Sequence, residues 1–111
     1  MLAKAIARHV RMTSRKVDYV ITPLRLRTVA EALAWLSATK RRAAKPVAKV
    51  IASAFANAKQ QHPDLRDDQV IISKVVADQG PSWKRFRAAA FGRASRILKR
   101  TTHITVELER K

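Results

Sequence analysis

Lys84, Arg85, Arg87, Arg93, Arg96, Lys99 and Arg100 lie between Asp78 and Glu107 with no carboxylate among them. Arginine offers a planar fork of donors whose charge is permanent, and phosphate is a group that this fork fits. Cations at such density repel one another, so the segment calls for an anion to complete it. Trp83, Phe86 and Phe91 are interleaved among the cations. Aromatic rings in such a setting stack on unpaired bases in single-stranded RNA recognition. Trp83, nearest the rest of the chain, has packing against the body as an equal alternative.

Two other basic groups stand earlier in the chain: Arg8, Arg11, Arg15 and Lys16, then Lys40, Arg41, Arg42 and Lys45. The second of these opens a predicted helix, where outward-pointing amides favour phosphate. A solvated charged face accounts for either group taken alone. Together with the downstream segment they describe a protein that meets a polyanion on several sides. The remaining chemistry-bearing residues form no reactive set. His9, His62 and His103 lack metal-ligand spacing, and there is no cysteine to assist them, so no metal and no cofactor are expected. Ser14, Asp18 and His9 make no triad, Asp67 and Asp68 sit together in a turn, and two glycines, Gly80 and Gly92, supply no phosphate-cradling loop. The chain is not expected to be an enzyme.

Composition agrees with a folded, polyanion-binding class. Twenty-four Lys and Arg against eight Asp and Glu give a formal charge of +16. Nucleic acid is the common partner for such a balance. Hydrophobic residues make up 47% of the chain, enough for a core and too many for a wholly disordered basic tail. No run approaches the ~18 apolar residues of a membrane span, so no membrane partner is expected. At 111 residues one domain with one modest core is predicted. The acid-free start, residues 1–16, superficially suits a transit peptide, but a first strand explains it equally.

The elements that position these residues follow from periodicity. Residues 2–12 read as a strand, with Leu2, Ile6, Val10 and Met12 on one parity and Ala3, Ala5, Ala7, His9 and Arg11 on the other. Thr13 or Ser14 is placed to cap a helix whose stripe is Val17, Val20, Ile21 and Leu24, and Pro23 should kink or end it near Thr22. Thr28 and Glu31 have the spacing of a capping box for a helix from Val29 to about Ala38, with Val29, Ala32, Leu33 and Leu36 inward and Trp35 on the flank. A third helix, about residues 42–61, carries Ala44, Val47, Ile51, Ala54, Phe55 and Ala58 at helical spacing, with Ala48 and Ala52 small enough to admit a neighbour. Residues 64–68 are a polar turn. Residues 70–77 and 101–110 are strands and natural antiparallel partners, the second with Ile104, Val106 and Leu108 inward. The connection between them exceeds twenty residues, far beyond the ~2–5 of an ordinary hairpin loop. Extended at ~3.3 Å per residue, two arms of ten residues reach about 30 Å, with Gly92 suited to the turn. The expected organisation is a single domain, residues 1–111, with a body of residues 1–78 and 101–111 and a hairpin arm of residues 79–100.

Four stretches carry a family resemblance: residues 7–17 (ARHVRMTSRKV), 53–59 (SAFANAK), 78–87 (DQGPSWKRFR) and 92–106 (GRASRILKRTTHITV). In order and spacing they resemble the universal large-subunit ribosomal protein twenty-two family, over nearly the whole chain. The match begins so early that no transit peptide is expected. The resemblance implies an α+β fold, three helices packed on a small antiparallel sheet of about three strands, with a long protruding basic β-hairpin that lines the polypeptide exit tunnel. It also implies binding to large-subunit rRNA, support of early subunit assembly, and a cytoplasmic, bacterial-type ribosomal location. Neighbouring large-subunit proteins and the nascent polypeptide would be further partners, without homo-oligomerisation. By that analogy Arg85, Arg87, Arg93, Arg96 and Arg100 lie along RNA, with Ala88, Ala89, Ala90, Phe91 and Gly92 as the tip facing the tunnel. Ala88 and Ala89 stand where the family usually has proline and a basic residue, and Pro23 and Leu26 also depart from its pattern. The competing function is a DNA-architectural protein whose basic β-arms clasp the minor groove; such a protein wants a proline wedge and a dimer interface, and this tip is Ala-Ala-Ala-Phe-Gly.

Overall fold

A computed structural model of the chain describes residues 2–88 and 94–111, with the side chains of residues 83–99 outside the described set. Five strands and three helices follow in the order β1 (Ala3–Val10), α1 (Ser14–Ile21), α2 (Val29–Ala38), α3 (Ala44–Gln61), β2 (Val70–Gln79), β3 (Trp83–Ala88), β4 (Ala94–Lys99) and β5 (Thr102–Arg110). The body is α+β: α3 packs across β1 and β5, α2 packs on α3, and α1 packs on β2. Its sheet is antiparallel with strand order β1-β5-β2.

The central strand β5 is the clearest case of pattern dictating structure. Ile104, Val106 and Leu108 are fully buried while His103, Thr105 and Glu107 alternate with them on the other face. That alternation is the period-two signature of a half-buried strand. The edge strand β1 differs. Its alanines, Ala3, Ala5 and Ala7, face the core, and Ile6 is exposed. The parity that turns toward α3 is the small one. A bulge between Ala7 and Val10 then shifts the phase and returns Val10 to the core side. His9 sits in that bulge with φ of 59°, its backbone N–H donating to Nδ1 of His103 at 3.2 Å. The two imidazoles meet edge to face at 5.0 Å, so histidines that look scattered in the sequence are partners across β1 and β5.

α1 ends at Ile21, and Thr22–Leu24 continue as a 3₁₀ turn that carries Pro23, as the proline requires. Val17, Val20, Ile21 and Leu24 are all buried. Thr13 is the N-cap, but its hydroxyl makes no capping hydrogen bond, which corrects the sequence expectation. Leu26 has φ of 64° and is 71% exposed, a costly backbone state for a leucine. Its N–H donates to the Ile72 carbonyl and Ile72 N–H to the Arg27 carbonyl, each at 2.9 Å, so the loop is stitched to the outer edge of β2. Half of the predicted capping box forms: the Thr28 hydroxyl accepts from Glu31 N–H at 3.2 Å, while the Glu31 carboxylate faces Arg27 at 3.5 Å.

In α3 the buried face is Ala44, Val47, Val50, Ile51, Ala54 and Ala58. Val50 belongs to it and Ala52 does not, because Ala52 lies on the solvent side of the stripe. Phe55 and Ala48 border the core half-buried. The turn after the helix is less polar than expected, since Leu65 is buried and anchors it.

β3 and β4 pair antiparallel from Trp83 with Lys99 to Ala88 with Ala94, forming a second sheet of their own. Thr101 and Thr102 fasten the point where this segment leaves the body. Thr101 Oγ1 donates to the Pro81 carbonyl at 2.6 Å, Gly80 N–H to the Thr101 carbonyl at 2.9 Å, and Thr102 Oγ1 to the Met12 carbonyl at 2.7 Å. Both threonines are fully buried.

Candidate nucleic-acid interface

Members of all three basic groups, separate in sequence, converge on one groove. An open depression of ≈ 550 Å³ is lined by Arg11, Met12, Thr13, Lys16, Arg41, Arg42, Ala43 and Arg100. The topology explains the meeting. Antiparallel pairing of β1 with β5 sets the end of β1, and therefore Arg11 to Lys16, beside Arg100 just before β5. The residues just before α3 reach the same place because α3 runs back along β1 and β5.

All five cations of the groove are exposed, and no carboxylate lines it. Two ion pairs, Arg27 with Glu31 and Arg66 with Asp68, lie elsewhere on the surface. Two helix amino termini contribute further positive potential. Thr13, the N-cap of α1, makes no side-chain capping bond, and the N-cap of α3 is Ala43, which has no side chain able to cap. Both residues line the groove, so the positive ends of two helix dipoles lie beside its five cations. Such an arrangement favours an anion over a neutral or cationic ligand.

Of the expected site residues, Arg11, Lys16, Arg41, Arg42 and Arg100 are gathered here. Arg8, Arg15 and Lys40 are exposed but outside the groove's lining. Arg8 lies on the sheet face opposite the helices, beside Lys4 and Ile6 on the same parity. For Lys84, Arg85, Arg87, Arg96 and Lys99 the backbone pairs within β3 and β4, and their side chains lie outside the described residues, as do those of Trp83 and Phe86. Arg93 and the tip from Ala89 to Gly92 lie wholly outside them, so the tip assignment is untouched by the structure. Sequence reasoning misses the clamp made by Thr101 and Thr102, although two adjacent hydroxyls opening an otherwise alternating strand are its visible signal. It also misses Tyr19, whose ring lies beneath the Arg41 guanidinium at 5.1 Å.

The chain is similar in sequence to known proteins. The family described as ribosomal protein L22p/L17e matches residues 5–109. A relative from Desulfitobacterium hafniense (strain DSM 10664 / DCB-2), the large ribosomal subunit protein uL22, is 46% identical over 109 residues, covering 98% of this chain and 95% of its own length. A basic groove fed by three parts of the chain, a three-helix body on an antiparallel sheet and this near end-to-end likeness lead to one assignment: the chain belongs to the ribosomal protein L22p/L17e family.

Proposed function

We propose that the protein is a non-catalytic component of the large ribosomal subunit in the cytoplasm, held by large-subunit rRNA and supporting early assembly of that subunit. The observation that carries the reading is the convergence of Arg11, Lys16, Arg41, Arg42 and Arg100 on a groove without a carboxylate. Arg8, Arg15 and Lys40 extend the contact around the body. Lys84, Arg85, Arg87, Arg93, Arg96 and Lys99 extend it along a protruding hairpin, with residues 88–92 as a tip that lines the exit tunnel and meets the nascent chain.

Two facts support the protruding arm. β3 and β4 pair with each other and with no strand of the body sheet. The radius of gyration is 17.0 Å and the longest extent 64 Å, against a radius of about 13 Å for a compact chain of this length. Neighbouring large-subunit proteins are the remaining partners, and the protein acts as a monomer within the particle. The family match lends no support to a DNA-architectural role.

Co-sedimentation tests the reading. The tagged chain is expected to travel with large subunits through a sucrose gradient at moderate salt and to leave them at high salt. A chain that stays at the top of the gradient beside intact subunits would overturn it.

A further inference from the structure

Tyr19 stands out on α1. The helix buries Val17, Val20 and Ile21, and Tyr19 projects away from that stripe, 62% exposed. A ring so placed adds little to the core. Its contact is with Arg41, whose guanidinium carbon lies 5.1 Å from the ring centroid. Arg41 belongs to the connection between α2 and α3 and lines the basic groove; Tyr19 does not line it.

Physical chemistry gives this stack a consequence for binding. The face of an aromatic ring carries the negative part of its quadrupole and attracts a cation laid over it. A guanidinium held over a ring by this attraction engages the ring through its charge and not through its N–H donors, so those donors stay available for a phosphate fork. An arginine in an exposed connection otherwise loses rotamer freedom when it binds, and that loss subtracts from affinity. Holding the group beforehand removes part of the cost.

We propose that Tyr19 is a positioning residue for the groove: its ring holds the Arg41 guanidinium in place to receive an RNA phosphate. The proposal rests on the reading of the groove as an RNA-phosphate site, and its test separates the two. Filter binding of the full chain to in vitro transcribed large-subunit rRNA is measured for wild type, Tyr19→Leu, Tyr19→Phe, Arg41→Ala, Arg42→Ala and the Tyr19→Leu, Arg41→Ala double variant. Tyr19→Leu weakens binding about two- to fivefold, the scale of an exposed cation–π contact. Tyr19→Phe, which keeps the ring, binds as wild type. In the Arg41→Ala background Tyr19→Leu has no further effect, because the group it positions is gone. The thermal transition of Tyr19→Leu stays in place, as expected for a ring on the solvent side of its helix.

If Tyr19→Leu weakens binding equally with and without Arg41, the ring touches RNA directly and the proposal falls. If Arg41→Ala and Arg42→Ala weaken binding while Tyr19→Leu does not, the proposal falls and the groove stands. If neither arginine variant changes affinity, both fall together.

Discussion

Gly80 occupies a position where a single methyl group has nowhere to go. A Cβ built there would lie 2.6 Å from Thr101 Oγ1 and 3.1 Å from the His103 ring. Thr101 cannot swing aside, because its β-branched side chain is fully buried and its hydroxyl is committed to the Pro81 carbonyl. Gly80→Ala is therefore expected to lower stability by ~1–3 kcal/mol, the usual cost of overpacking, as read from the urea midpoint of the purified chain. An unchanged midpoint would mean the clamp at the foot of the hairpin is looser than its hydrogen bonds indicate. This close approach is not readable from the sequence. There Gly80-Pro81 announces a break in the strand, whereas the structure makes it the place where residues far apart in the chain are locked together.

At the scale of the elements, α3 offers the sharpest comparison of two neighbouring side chains. Ile51 is fully buried and Ala52 is on the solvent face. Ile51→Ala should cost about 2–5 kcal/mol by loss of buried surface and the cavity left behind. Ala52→Lys should stay within ~0.5 kcal/mol of wild type. Thermal unfolding of both variants checks the pair, and a destabilised Ala52→Lys would mean that the helix presents a different face to the sheet. The helical period made most of α3 legible, since Val47, Ile51, Ala54 and Ala58 recur at helical spacing and all are buried. It misplaced Ala52, because alanine is tolerated on both faces and carries little signal of its own. The same ambiguity attends β1, where alanines face in and Ile6 faces out, an orientation invisible in the strand's own pattern. β5 was legible from His103 to Leu108 because its inward residues there are large and its outward ones polar.

For the whole molecule, the sequence displays three basic groups and the fold supplies their meeting place. Charge and spacing single out Arg11, Lys16, Arg41, Arg42 and Arg100 as candidates for phosphate contact, but their convergence depends on β1 pairing with β5 and on α3 returning across both. Long-range pairing of that kind leaves no local mark in a sequence. Tyr19 stayed hidden for a related reason: its role is set by an arginine twenty-two positions away. The central claim is that these cations act by neutralising RNA phosphates, and ionic strength tests it most directly. Affinity for large-subunit rRNA is measured over a salt series for wild type and for Arg42→Ala with Arg100→Ala. The logarithm of the wild-type constant should fall linearly and steeply with the logarithm of salt, and the double variant should bind more weakly, its slope shallower by about one for each charge removed. A flat wild-type response, or two lines of equal slope, would contradict the account.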